Sequence, residues 1–171
     1  MKVFLIGLPG SGKSTLGRAV AHLLRRPFVD LDGEIVKGEG KSVHQIFGSL
    51  GEAPFRKIEK HYLEKWCARP GPFIMATGGG APCHFNNMEL INETGTSFFL
   101  DVRPEVIALR MLGMELAKRP LFAGQDATTI QGRVRKMREE RLPYYAQARI
   151  VLSGERLTTQ AIAEEVLALE A

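Results

Sequence analysis

Near the start of the 171-residue chain, Gly7-Leu8-Pro9-Gly10-Ser11-Gly12-Lys13-Ser14 fits the pattern G-x-x-x-x-G-K-[ST]. An apolar, β-rich run over residues 3–6 precedes it. Residues 14–24 follow, with apolar positions 16, 19, 20, 23 and 24 at helical spacing. A strand, a glycine-rich loop and an amphipathic helix in this order make one βα unit, and the strand must be buried. The glycines permit positive φ, and the bare N–H groups at the helix N-terminus face the same side as its dipole.

That geometry cradles phosphate. Lys13 can reach the β- and γ-phosphates of a nucleoside triphosphate, and the Ser14 hydroxyl can ligate Mg²⁺. Gly10, Ser11, Gly12, Lys13, Ser14 and Thr15 are therefore the expected ATP contacts. The plainer alternative is a glycine-rich turn with a solvated lysine. No N/T-K-x-D tetrad for guanine occurs, and ring and motor ATPases normally exceed this length. A small phosphotransferase is the leading reading.

The rest of the chain alternates in the same way. Strands are predicted at 27–32, 73–77, 97–102 and 149–152, and helices at 43–47, 54–66, 104–112, 130–141 and 159–169. Together they give a three-layer α/β/α sandwich on a five-stranded parallel sheet, folded as a single domain over residues 1–171. Apolar residues are 44% and charged residues 25% of the chain, which excludes a disordered or collagen-like chain. No run is long and apolar enough for a bilayer, and the apolar opening is too short for a signal peptide. The two cysteines, Cys67 and Cys83, form no CxxC or Cys/His cluster, so a zinc site and a disulfide framework are not expected. A cytoplasmic, monomeric protein is the expectation. The net charge of +4 leaves nucleic acid, a membrane surface or small anions as partners. Between Arg103 and Arg141 there are nine Lys/Arg against five Asp/Glu, so that window alone carries the excess.

Four further features carry chemistry. Asp30-Leu31-Asp32 ends the second predicted strand, where alternation would put both carboxylates on one side. Asp30 is assigned to the Mg²⁺ side beside Ser14 and Asp32 to a substrate hydroxyl, although either could simply cap the helix beginning near Gly33. Arg56 and Glu59 are i, i+3 neighbours. By themselves they favour a solvated pair, with an oriented anion-binding fork as the sharper option. Gly78-Gly79-Gly80 follows an apolar strand and suggests bare backbone against a ligand rather than a flexible turn. Asp101 mimics a second metal-binding acid but is read as a helix cap.

Taken together and in order, these motifs resemble shikimate kinase. The resemblance spans Val3 to about Tyr145. It rests on the glycine-rich loop, Asp30-Leu31-Asp32-Gly33, Gly51-Glu52-Ala53-Pro54-Phe55-Arg56-Lys57-Ile58-Glu59, the triple glycine, Arg119-Pro120-Leu121 and Arg141-Leu142-Pro143-Tyr144-Tyr145. It implies transfer of the ATP γ-phosphate to the 3-hydroxyl of shikimate. Asp32 resembles the residue that polarises that hydroxyl. Arg56 and Arg141 resemble clamps on the substrate carboxylate, and Gly78, Gly79 and Gly80 a backbone contact. Val43, Phe47, Phe55 and Pro120 resemble the apolar walls. Arg119 resembles the arginine of a lid over about 112–124, while about 33–61 forms the acceptor region. Arg110 and Arg156 resemble adenine-side residues. Pro9 and Val36 depart from the usual residues, and 111–118 is longer and more apolar than many family lids. A gluconate-type kinase or a nucleoside monophosphate kinase is the alternative. The basic excess is then charge for ATP and a small carboxylate, with neither nucleic acid nor a membrane as partner.

Overall fold

The computed structural model describes residues 1–118 and 127–171, apart from the side chains of 114–118 and 127. In chain order the elements are β1 (Lys2–Ile6), α1 (Lys13–Leu23), β2 (Phe28–Asp30), α2 (Leu31–Glu39), α3 (Val43–Leu50) and α4 (Glu52–Cys67). These are followed by β3 (Phe73–Ala76), α5 (Asn87–Thr94), β4 (Thr96–Asp101), α6 (Pro104–Lys118), α7 (Ala127–Tyr145), β5 (Ile150–Ser153) and α8 (Thr159–Glu170). All strand pairings are parallel, in the order β2-β3-β1-β4-β5.

The strands obey a period of two with both faces buried. Val3, Leu5, Ile74, Phe98, Leu100 and Leu152 pack beneath Val20 and Ala21 of α1 and Ile162 and Val166 of α8. Phe4, Ile6, Phe73, Met75 and Phe99 face the opposite layer, where Ile35, Phe55, Leu63, Ile107, Val134 and Tyr145 cover them. This is the expected three-layer sandwich. Because β1 lies between β3 and β4, the chain reverses its winding direction there. A crevice then opens at the carboxyl ends of the strands. The loop after β1, Asp30 at the end of β2 and Gly78–Gly80 after β3 all lie at this edge. Among the described residues, no helix is long and apolar enough to cross a membrane.

Several boundaries differ from the sequence expectation, each for a local reason. The second strand stops at Asp30, not 32. Asp30 accepts from the Gly33 amide (3.2 Å) as the N-cap of α2, so Leu31 and Asp32 already lie in its first turn. Asp30 and Asp32 are therefore not alternate residues of one strand. The seventh helix does not stop before Pro143. Pro143 lies in the last turn of the helix, which continues past it with Ala146 N–H donating to the Leu142 carbonyl at 2.8 Å. The sixth helix runs to Lys118 instead of ending near 112, so the first part of the expected lid is helical. Arg119 and Pro120 lie outside the described residues. Asp101 ends β4, and the contacts of its carboxylate are with Arg138 at 2.9–3.2 Å, an ion pair in place of the expected cap. The fifth helix carries too few regularly spaced apolar residues to be read in advance, yet it buries Asn87, Met88 and Ile91.

Candidate active site

The loop between β1 and α1 forms the first half of the site. Gly10 and Gly12 sit at φ of 79° and 92°, where L side chains are strained. The turn wraps around the Lys13 side chain. Its Nζ donates to the Gly7 and Leu8 carbonyls at 2.9 and 2.8 Å and to Ser11 Oγ at 3.5 Å. The Lys13 pKa is lowered to about 8, chiefly by burial and also by Arg141, with Asp32 and Asp30 opposing the shift. Ser14 Oγ donates to Asp30 Oδ2 at 2.7 Å. With its proton held by Asp30, the hydroxyl oxygen keeps its lone pairs for a cation. Asp30 thus caps α2, the plainer alternative, and also holds Ser14, the residue beside which the Mg²⁺ side was expected. Among the described residues, no cluster of three or more His, Cys, Asp or Glu could hold a metal by itself. A cation here needs oxygens from a bound phosphate as well as Ser14.

The second half is built on α2, α4, α7 and the triple glycine. Arg56 NH1 donates to Glu59 Oε2 at 2.8 Å. Both residues are buried, at 8% and 1% exposure, so this is not the solvated pair the residues alone favour. The guanidinium carbon lies 5.6 Å from the Phe47 ring and 5.3 Å from the Phe55 ring. The two rings pack with centroids 4.4 Å apart. Aromatic faces and a buried carboxylate therefore fix the fork from three directions. Burial pushes the Glu59 pKa up, while Arg56 pulls it down.

No backbone strain explains the three glycines; close approach does. A Cβ on Gly78 would stand 2.7 Å from Glu59 Oε1 and 3.1 Å from Asp32 Oδ1. On Gly79 it would stand 2.8 Å from Pro9 Cδ and 3.0 Å from Arg141 NH1, and on Gly80 2.6 Å from the Arg56 guanidinium carbon. The bare backbone strip is thus the floor on which Asp32, Glu59, Arg56 and Arg141 converge. It also touches the phosphate loop through Pro9. NH1 of Arg141 is buried, with no hydrogen-bond partner among the described residues. A buried guanidinium donor left unmade is costly unless a ligand completes it. Burial and the neighbouring Asp30 raise the Asp32 pKa, against the pull of Lys13 and Arg56.

The structure therefore brings together Lys13, Ser14, Asp30, Asp32, Arg56, Gly78, Gly79, Gly80 and Arg141. Arg110 lies over the phosphate loop, its NH1 donating to the Gly10 carbonyl at 3.0 Å. Arg156 follows the carboxyl end of β5 and pairs with Glu165. Thr15 is exposed on the first turn of α1. Two contributors went unread in the sequence. Tyr145, one helical turn beyond Arg141, donates its hydroxyl to the Gly79 carbonyl at 2.6 Å and holds the glycine strip. Glu52, one turn before Arg56, also contacts its guanidinium. For Glu52 the i, i+4 spacing to Arg56 was the available signal, whereas the Tyr145–Gly79 contact has none in local sequence.

A parallel sheet with a lysine-bearing phosphate loop at its switch point, facing a pocket with two arginines and an aspartate, defines a small P-loop kinase. The comparisons then specify which. The family model described as shikimate kinase matches residues 9–170. A shikimate kinase from Bacteroides thetaiotaomicron is 38% identical over 157 residues, covering 92% of this chain and 89% of that one. One from Symbiobacterium thermophilum is 38% identical, covering 98% and 94%. The crystal structure of the Bacteroides thetaiotaomicron enzyme superposes with a TM-score of 0.85 at 34% identity, covering 99% of this chain and 98% of that one. A shikimate kinase from Acinetobacter baumannii in complex with shikimate gives 0.82 at 29%, covering 99% and 92%. The chain belongs to the shikimate kinase family and is an ATP-dependent kinase.

Proposed function

We propose that the two halves of this site divide the transfer of the ATP γ-phosphate to the 3-hydroxyl of shikimate. Arg56 and Arg141 hold the acceptor's carboxylate. A ring acid with three hydroxyls offers one planar anionic group, and two arginine forks match it. Asp32, beside the glycine strip, receives the reacting hydroxyl and either accepts its proton or orients it. Lys13 exchanges its carbonyl partners for phosphate oxygens, and Arg110 lies beside the same loop. Arg119, on the resemblance alone, closes over the nucleotide. Ser14, backed by Asp30, fits Mg²⁺, which when bound supplies charge neutralisation at the β- and γ-phosphate oxygens. In such a reaction the protein mainly aligns the groups, balances charge and excludes water.

The observation that carries this reading is the buried, unpartnered NH1 of Arg141, which lies against Gly79 in the same pocket as Arg56 and Asp32. It is a donor awaiting an anion opposite the phosphate loop. Free thiols at Cys67 and Cys83 and ATP as donor suit a cytoplasmic enzyme. The test is Arg56→Ala. KM for shikimate is expected to rise by roughly 10²-fold, the scale of a lost charge-assisted pair, while KM for ATP stays within about twofold. An unchanged KM for shikimate would return Arg56 to a purely structural ion pair.

A further inference from the structure

Arg56 has two carboxylate partners, and they are not equivalent. Glu59 is buried and takes NH1 at 2.8 Å. The Glu52 side chain is 62% exposed and reaches in from the first turn of α4. A single oxygen, Oε1, spans Nε and NH2, both at 3.3 Å. That Nε/NH2 edge is one of the edges on which an arginine can grip a carboxylate with two parallel hydrogen bonds. Glu52 supplies only one oxygen to it, at long range. Its other polar neighbour is the His84 imidazole, whose Nε2 lies 3.9 Å from the same oxygen and whose pKa burial and Arg56 push down, away from the charged form.

We infer that Glu52 is an internal competitor for the substrate carboxylate at Arg56: it occupies the Nε/NH2 edge in the free enzyme and must leave when the acceptor binds. This rests on the reading of Arg56 as a carboxylate clamp. The buried Glu59 pair fixes the fork and persists. The exposed Glu52 pair keeps the free edge from standing unpaired, then yields to a better, two-oxygen ligand. Glu52 is thereby a specificity-determining residue. An acceptor that offers a neutral group in place of the carboxylate cannot displace it.

The test compares Glu52→Gln and Glu52→Asp in steady-state kinetics. Glutamine removes the competing charge. Aspartate keeps the charge at the helix N-terminus but is one methylene too short to reach the same edge. Both variants are expected to lower KM for shikimate about two- to fivefold, the scale of an exposed ion pair, with KM for ATP unmoved. An unchanged KM in Glu52→Gln overturns the inference, and a raised KM assigns Glu52 to positioning Arg56 instead. A fall in Glu52→Gln but not in Glu52→Asp overturns it in favour of simple charge repulsion across the pocket. If Arg56→Ala raises KM while Glu52→Gln does not lower it, the clamp stands and only the competitor fails. If Arg56→Ala has no effect, the clamp itself is wrong.

Discussion

Two residues at the centre of the site carry charges that the fold disfavours. The Asp32 pKa is raised because the carboxyl is buried and faces Asp30. A carboxyl raised in the folded state stabilises the protein below its unfolded pKa and loses that stability as pH rises through the folded value. At neutral pH, ionised Asp32 therefore costs stability that catalysis requires. Asp32→Asn is expected to lower kcat by at least about 10²-fold, the usual contribution of a positioned base, with ATP still bound. The same variant is expected to melt at a higher temperature than the parent at pH 7. Scanning calorimetry should show that gap closing as pH falls toward 4. Lys13 has the opposite sign. Burial lowers its pKa to about 8, so near pH 8.5 much of it is neutral in the free enzyme. Phosphate oxygens favour the charged form, and ATP binding at pH 8.5 is expected to take up protons. Calorimetric titration in buffers of different ionisation enthalpy measures that uptake, which should fade toward pH 7. No uptake at pH 8.5 would mean that Lys13 does not meet the phosphates.

At the scale of elements, the glycine strip after β3 joins the two halves of the site. Pro9 of the phosphate loop packs on Gly79, and Tyr145 of α7 holds the Gly79 carbonyl. Gly80 has an ordinary negative φ of −89°, so alanine there is unstrained in its backbone. Its Cβ would nevertheless press on the Arg56 guanidinium. Gly80→Ala is expected to raise KM for shikimate at least about tenfold, in line with a misplaced clamp, with KM for ATP nearly unchanged. Equal effects on both substrates would point instead to general unfolding of the strip. These elements also mark what the sequence could and could not say. The alternation of strands and helices and the phosphate loop were legible because each depends on local pattern; the triple glycine could be read as bare backbone, but the side chains that press on it, Glu59, Asp32, Pro9, Arg141 and Arg56, could not. The end of β2 was not, because Asp30 acts as a cap and turns Asp32 into a helical residue. The buried state of Arg56–Glu59 was not either. An i, i+3 pair reads the same on a solvated face as beneath Phe47. The hydroxyl of Tyr145 reaches Gly79 across 66 positions of sequence, a distance no local pattern spans.

For the whole molecule, the basic excess has a defined destination. Within the segment from Arg103 to Arg141, Arg135 pairs with Glu105, and Arg138 pairs with Asp101 just before it. Arg110 and Arg141 remain directed at the phosphate loop and the glycine strip. Arginines so placed suit a nucleotide and a small carboxylate. The central claim is therefore about which acceptor completes the pocket. A coupled assay of ADP release, run in parallel with shikimate, gluconate, AMP, CMP and UMP, tests it most directly. Shikimate alone is expected to drive ADP formation above the rate with ATP and Mg²⁺ only, with the product phosphorylated at the 3-hydroxyl. ADP release driven by gluconate or a nucleoside monophosphate, and not by shikimate, would contradict it.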